Sequence, residues 1–395
     1  MAELGKKSPG KMKGIYTLFL IAGLICLFVT TILLYFGHHA EVGPYVIMTF
    51  VFLALYVRGS EFWSVTAFTL WITAFVTTAM FYPRFFTNVN GVETKPYIMN
   101  IIQFIMFGMG TTLSIKDFKR VFIMPQTIII GIMLQYTVMP FVGKGIAMMF
   151  APNPEVAAGI VLNGSCPGGV ASNVINFLAK TNVALSVTLT AVSTLVAPIM
   201  TPTMTKWLAG AYIQINFFDM MWSIIKMIII PVGGGLLVNA FLRRMSEVKP
   251  KFAVVSDGIM RSLPFFSMLG ICVANGILTA YSRDSLLVGA IVFSILISII
   301  LHNFMGYMLG YWGSRALGIG IIDSRTIAVE VGLQNSAMAA GLAIKVLNSS
   351  LAALPCVVFA SWQNMSGAIL ASFWARRPVE KQVPVMVEKE AEETA

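Results

Sequence analysis

The stretch Ala328-Val-Glu-Val-Gly-Leu-Gln-Asn-Ser-Ala-Met-Ala-Ala340 places a carboxylate inside a segment otherwise long and apolar enough to cross a bilayer. A charged side chain near the membrane centre costs at least ~3 kcal/mol on insertion scales, so it is kept there mainly for a partner: an ion, a proton or a counter-charge. Glu330 is therefore a functional candidate by default. Gly332 sits two residues later, and Gln334, Asn335 and Ser336 add amide and hydroxyl groups. The helix is expected to loosen here and to expose backbone carbonyls that a cation can use.

A second interruption lies earlier. Cys166-Pro-Gly-Gly-Val-Ala-Ser-Asn-Val174 puts a proline and two adjacent glycines in the middle of another apolar run, which removes a backbone donor and lets the chain leave helical geometry. A new half-helix is expected to begin near Val170, with free amides and a positive dipole end that suit an anion such as a carboxylate. The plainer reading is a packing kink, since membrane helices tolerate proline and glycine. Pro-Gly-Gly followed at once by Ala-Ser-Asn is more disruptive than a kink requires.

Oxygen-bearing side chains recur around the breaks: Ser172 and Asn173, then Ser186, Thr190, Ser193 and Thr194. Ser186 and Thr190, four residues apart, share one helix face. One carboxylate among neutral oxygens suits a monovalent cation better than the carboxylate-rich cages of divalent ions, and sodium fits. A single membrane serine or threonine commonly bonds only its own helix; four at this spacing beside a buried carboxylate argue for more. Gln135, five positions before Pro140, reads by itself as interhelical glue. His302-Asn303 reads as buried hydrogen-bonded structure, with a proton relay as the alternative. No Ser/His/Asp or Cys/His set has catalytic spacing, and no GxxxxGK[ST] loop is present, so neither an enzyme nor a nucleotide-driven pump is expected.

The elements that must position these groups are helices. The chain has 395 residues, 57% hydrophobic and 11% charged, with a mean hydropathy of +0.82, which excludes a soluble globular domain. Its apolar runs are roughly 20 residues long and do not alternate, so they span as helices rather than barrel strands. Twelve spans are predicted: 15–36, 42–57, 62–82, 97–113, 121–150, 156–178, 183–208, 220–242, 259–278, 286–312, 326–346 and 351–374. Both termini are expected in the cytoplasm of a multi-pass cell-membrane protein. With that orientation Arg84, Lys95, Lys144, Lys206, Arg283 and Lys345 face outward, Lys226 and Arg261 lie within span ends, and the remaining nineteen of 27 Lys and Arg face inward, as the positive-inside rule demands. The first run lacks a small-residue cleavage site and is expected to be retained. The net charge of +10 is scattered through short loops, so it serves topology, and no nucleic-acid partner is expected. Cys26, Cys166, Cys272 and Cys356 all lie in apolar runs without CxxC spacing, so neither disulfides nor a zinc site is indicated.

Counted from the third span, the broken helices are the fourth and the ninth of ten, equivalent positions in two five-helix halves. Halves with an odd number of spans enter the membrane from opposite sides, giving the inverted repeats of secondary transporters, whose sites lie at the midplane. The predicted domains are 1–60, a tail and an extra transmembrane hairpin; 61–376, a ten-helix unit; and 377–395, a charged tail without apolar periodicity and expected to be disordered.

The motifs Pro167-Gly-Gly-Val-Ala-Ser-Asn173, Asn182-Val-Ala-Leu-Ser-Val187 and Glu330-Val-Gly-Leu-Gln-Asn-Ser336 resemble the signature helices of the bile acid:sodium symporter family, a likeness running from about Phe62 to Trp374. The resemblance implies an all-α fold of panel and core domains in which two discontinuous helices cross beside two sodium ions. By motif, it implies a first sodium site of Ser172, Asn173, Ser186, Thr190 and Glu330. The second would use Gln135, Glu330, Val331, Leu333 and Gln334, with Val331 and Leu333 offering backbone carbonyls. Substrate contacts are implied at the amides of Val170 and Ala171, at Asn335, and at Gln363 and Asn364 in Trp362-Gln-Asn-Met-Ser-Gly367; some members have histidine where this chain has Gln363. Members carry bile acids, pantoate, pyruvate and similar carboxylates, so the implied activity is sodium-coupled symport of an organic anion. Two alternatives stand beside it: proton coupling through Glu330, and a membrane sensor that binds a ligand without moving it. The first two spans have no counterpart in the ten-helix core.

Overall fold

The computed structural model describes residues 9–60, 66–114, 117, 120–151, 153–248, 250–286, 289–377 and 379. A helix, or a broken pair of helices, occupies each of the twelve predicted positions. These are α1 (Pro9–Tyr35), α2 (Val42–Val57), α3 (Thr66–Phe81), α4 (Ile98–Thr112), α5 (Pro125–Phe150), α6a (Pro154–Gly164) and α6b (Ala171–Leu178). They continue as α7 (Val183–Ala209), α8 (Phe217–Ile224, a π-helical turn at Ile225–Ile229, then Ile230–Val248), α9 (Pro250–Tyr281) and α10 (Gly289–Ala316). The series ends with α11a (Ile321–Gly332), α11b (Ser336–Lys345) and α12 (Ser350–Ala375). Among the described residues seven helices are long and apolar enough to cross a membrane: α1, α2 with the turn before it, α5, α7, most of α8, α10 and α12. The four half-helices have 8 to 12 residues each, so neither half of a broken pair spans a bilayer by itself.

One feature departs from an all-helical chain. Asn88–Val89 pairs antiparallel with Val92–Glu93 in a minimal hairpin, because Asn90 (φ 52°) and Gly91 (φ 84°) supply the left-handed backbone that a two-residue hairpin turn requires. Of the charged tail expected over 377–395, all but residues 377 and 379 lies outside the described residues.

Polar caps fix where the site-bearing helices start. Asn153, Asn182, Asn216, Asn335 and Ser349 each accept a backbone N–H of the first turn they precede, in α6a, α7, α8, α11b and α12, satisfying donors that a membrane interior would otherwise strand. Packing then sorts the helices into two groups. In one, α3 and α4 each pack on α9, and α4 and α9 each pack on α8; in the other, α5, α6, α7, α10, α11 and α12 pack among themselves. Within the second group the pairings repeat: α5 lies on α6a as α10 lies on α11a, α5 on α7 as α10 on α12, and α7 on α11a as α12 on α6a. The extra hairpin is peripheral, with α1 on α2 and α2 on α3.

Candidate functional site

The two breaks meet. Gly168 and Gln334 form an antiparallel bridge, with the Gly169 N–H donating to Leu333 O at 2.8 Å and the Asn335 N–H to Pro167 O at 2.9 Å. Each break thus supplies the backbone partner that the other lost on leaving the helix, which is how irregular backbone persists at membrane depth. Only glycine fits at this contact. A Cβ at Gly169 would lie 2.7 Å from Gln334 O, and one at Gly168 would lie 2.7 Å from Glu330 Oε2.

The last carbonyl before each break is held by a carboxamide from the preceding long helix. Gln135 Nε2 of α5 donates to Cys166 O at 2.9 Å, and Asn303 Nδ2 of α10 donates to Gly332 O at 2.8 Å. The two breaks are therefore built alike at their entry and differ past it.

Glu330 lies in the last turn of α11a with its carboxylate against the first break and 4% of the residue exposed. Ser172 donates to Oε1 at 2.5 Å, Ser186 also donates to Oε1, and Thr190 lies 3.1 Å from Oε1 and 2.9 Å from Oε2. Asn173 joins one step out, its Oδ1 accepting from Ser186 at 2.8 Å. The predicted first cluster is thus brought together, with Asn173 touching Ser186 rather than the carboxylate. Among the described residues no Lys, Arg or His lies within ion-pair distance of Glu330. Among those residues its charge is met by the hydroxyls of Ser172, Ser186 and Thr190. The Ser186 hydroxyl faces two acceptors, Glu330 Oε1 and Asn173 Oδ1, yet has one proton to give. An ionised Glu330 leaves one oxygen pair here in contact without a hydrogen between them, and a cation or a further proton relieves that repulsion.

Of the second expected cluster, Gln135, Gln334, Val331 and Leu333 lie together, while the Glu330 carboxylate bonds to the first cluster. Gln135 Nε2 donates to Gln334 Oε1 at 2.8 Å, Gln334 Nε2 donates to Val331 O at 2.7 Å, and Leu333 O takes the Gly169 N–H. Gln135 Oε1 is buried without a hydrogen-bond partner, and an unpaired buried oxygen costs ~1–3 kcal/mol unless something positive faces it. The donor set is all oxygen, as a hard cation requires.

On the anion side, the N–H groups of Val170 and Ala171 have no backbone acceptor among the described residues; the bonds of this turn begin with Ser172 N–H to Gly169 O at 2.9 Å. Asn335 spends its Oδ1 on the Met338 N–H, and its Nδ2 rests 3.8 Å from Met106 Sδ of α4, a weak acceptor that a ligand oxygen readily replaces. Asn364 donates to Ala360 O of its own helix at 2.7 Å. Gln363 gives both edges of its amide to one residue: its Oε1 accepts the Gln334 N–H at 2.7 Å and its Nε2 donates to Gln334 O at 3.0 Å.

Two participants escape sequence reasoning. Asn176 donates to Ser186 at 2.9 Å; the available signal is its place three residues after Asn173, on the same face of α6b. Asn303 stands out in the sequence only as the neighbour of His302. The histidine bonds Met139 O at 2.9 Å, whereas the asparagine holds the second break.

Residues 99–289 match the model of the Sodium Bile acid symporter family. An uncharacterized sodium-dependent transporter of Bacillus subtilis is 36% identical over 327 residues, 82% of this chain and 96% of that protein. A probable sodium/metabolite cotransporter of Arabidopsis thaliana chloroplasts is 33% identical over 322 residues, covering 80% of this chain and 75% of the relative. A second of that description, from Oryza sativa, is 30% identical over 316 residues, 79% of this chain and 71% of the relative.

Proposed function

The chain belongs to the sodium bile acid symporter family, and from that premise we propose that it couples the entry of sodium ions to uptake of an organic anion by alternating access. It is a multi-pass membrane transporter and not an enzyme. The observation that carries the finer reading is Glu330, a buried carboxylate without a cationic partner among the described residues, ringed by Ser172, Ser186 and Thr190 where the two broken helices cross. Sodium supplies the missing positive charge. One ion is held by Ser172, Asn173, Ser186, Thr190 and Glu330, and a second by Gln135, Glu330, Gln334 and the carbonyls of Val331 and Leu333.

The anion, a bile acid or a smaller carboxylate, places its charged group at the unpartnered amides of Val170 and Ala171, with Asn335 and Asn364 across from it. Helices α3–α7 and α8–α12 serve as inverted repeats, a reading supported by the repeated pairings and the matching carboxamides Gln135 and Asn303. The group α3, α4, α8 and α9 acts as the panel, the six-helix group as the core, and residues 1–60 as an appended hairpin. The charge distribution supports a cell-membrane protein with both termini cytoplasmic.

The decisive experiment is uptake of labelled organic anions by proteoliposomes of the purified protein, with and without an inward sodium gradient at fixed pH. Accumulation that needs sodium supports the reading. Accumulation driven by a pH gradient without sodium replaces it with proton coupling through Glu330, and saturable binding with no accumulation under either gradient replaces it with a sensor.

A further inference from the structure

We propose that Gln363 of α12 is a positioning residue for the cation site at the second break, acting through the backbone of Gln334 rather than by touching the transported anion. The inference rests on the sodium-coupled reading of the crossing. A carboxamide carries one acceptor and one donor edge in a plane, and Gln363 presents both to the same residue: Oε1 to the Gln334 N–H at 2.7 Å and Nε2 to Gln334 O at 3.0 Å. Gln363 is 5% and Gln334 1% exposed, so no water competes for these bonds. A residue tied at both its N–H and its C=O cannot turn, and its side chain is then aimed. The aim is visible in what Gln334 reaches, since its Nε2 meets Val331 O at 2.7 Å and its Oε1 meets Gln135 Nε2 at 2.8 Å.

The next turn of α12 reinforces the hold. Ser366, three residues on, donates to Asn303 Oδ1 at 2.6 Å, and Asn303 Nδ2 in turn holds Gly332 O at 2.8 Å. The carbonyls flanking Leu333 are thus braced from α12 twice, once directly and once through α10. The first break has the counterpart of Asn303, Gln135 Nε2 on Cys166 O, but among the described residues no side chain grips its backbone at both N–H and C=O as Gln363 grips Gln334, so that clamp is particular to the half that carries Glu330. An anion that took this Nε2–H away from the Gln334 peptide would leave the Gln334 carbonyl to the Ser336 N–H alone, at 2.9 Å, and would loosen the clamp that aims the Gln334 side chain. Glutamine is suited to this place because glutamate would lack the donor edge and a shorter amide would not reach both groups.

The test uses the full-length protein purified in detergent and reconstituted. Sodium binding is read without substrate as the sodium-dependent rise in melting temperature, with choline as the control cation, alongside the sodium and substrate dependence of uptake. The variants are Gln363→Ala and Gln363→Met; the second fills the same space without an amide and covers the case in which the first fails to fold. Both are expected to raise half-saturating sodium about 10-fold or more, the usual consequence of removing a group that orients a metal ligand. Substrate half-saturation at saturating sodium is expected to stay at the wild-type value. Ser366→Ala is expected to move sodium affinity in the same direction and by less. Wild-type sodium affinity in Gln363→Met, together with weakened substrate binding at saturating sodium, would overturn the inference and make Gln363 a substrate contact. A wild-type protein without any sodium response removes the sodium-coupled reading first, and the brace with it.

Discussion

At the scale of single residues, the arrangement around Glu330 ranks its neighbours. Removing the carboxylate charge while keeping the shape, as in Glu330→Gln, leaves both proposed ions without their shared anion, so sodium-dependent uptake is expected to vanish while the protein still inserts. Full sodium-driven uptake by this variant, measured in proteoliposomes at a matched protein level, would show the coupling charge to lie elsewhere. Thr190 lies within reach of both carboxylate oxygens, whereas Asn173 reaches them only through Ser186. A hydrogen bond to a charged group is worth ~1.5–3 kcal/mol, so Thr190→Ala is expected to raise half-saturating sodium about tenfold or more. Asn173→Ala should shift it by less, and a reversed order would mean that Asn173 turns onto the ion when sodium is bound. These residues were legible in the sequence because a carboxylate in an apolar run has a cost that demands a partner. Asn303, Asn176 and the role of Gln363 were not. Amides carry no charge, and a neutral polar group in a helix reads equally as glue, cap or site until its neighbours are known.

The elements were legible for a different reason. Pro167-Gly168-Gly169 and Gly332 interrupt apolar runs at points where a continuous helix has nothing to gain from them, and the structure breaks α6 and α11 there. What spacing could not say is that the two breaks would hydrogen-bond to each other, because that pairing joins residues far apart in sequence. Nor did hydropathy place the true start of α9, which runs from Pro250 where the apolar span begins only near 259; helix continues into the aqueous margin, where hydropathy gives no signal. The crossing makes a paired prediction. Adding a methyl group at Gly169 drives it against Gln334 O, a backbone atom that is held from two sides. Overpacking of this kind costs ~1–3 kcal/mol, so Gly169→Ala is expected to lower the melting temperature in detergent and reduce uptake together. Gly168→Ala instead presses on the Glu330 carboxylate. It should weaken sodium binding with a smaller loss of melting temperature, and equal thermal losses in the two variants would show that the crossing, not the ion site, bears both clashes.

Over the whole molecule the two helix groups differ in how they are joined inside and between themselves. Inside each, backbones approach closely at glycine: a Cβ at Gly110 of α4 would lie 2.2 Å from Val232 O of α8, and one at Gly159 of α6a would lie 2.1 Å from Ala352 O of α12. Such seams lock, since small residues give membrane helices their tightest packing. Between the groups side chains meet, as where Gly341 of α11b faces Ile102 and Met227 and where Asn335 meets Met106. A boundary of side chains can be remade as one group moves past the other, whereas a glycine seam cannot without opening a void. Among the described residues the appended hairpin packs on this arrangement through α2 on α3. Deleting residues 1–60 is accordingly expected to leave sodium-dependent uptake per inserted molecule intact, and its loss would assign the hairpin a part in transport. The movement itself can be arrested. Ser282, just past the end of α9, donates to Ser350 O at the start of α12 at 3.0 Å, which ties one group to the other at the ends of two helices. Both are serines, so Ser282→Cys with Ser350→Cys replaces oxygen by sulfur at little steric cost and places two thiols on residues in contact, for linkage by a short bifunctional thiol reagent cleavable by reduction. Uptake by the double variant is expected to fall to background as the cross-link forms and to return on reduction, while each single variant, treated identically, stays near wild type despite Cys26 and the three buried cysteines. Undiminished uptake from fully cross-linked protein would mean that the two groups do not move apart at this end, and that the anion reaches the crossing by a route within one of them.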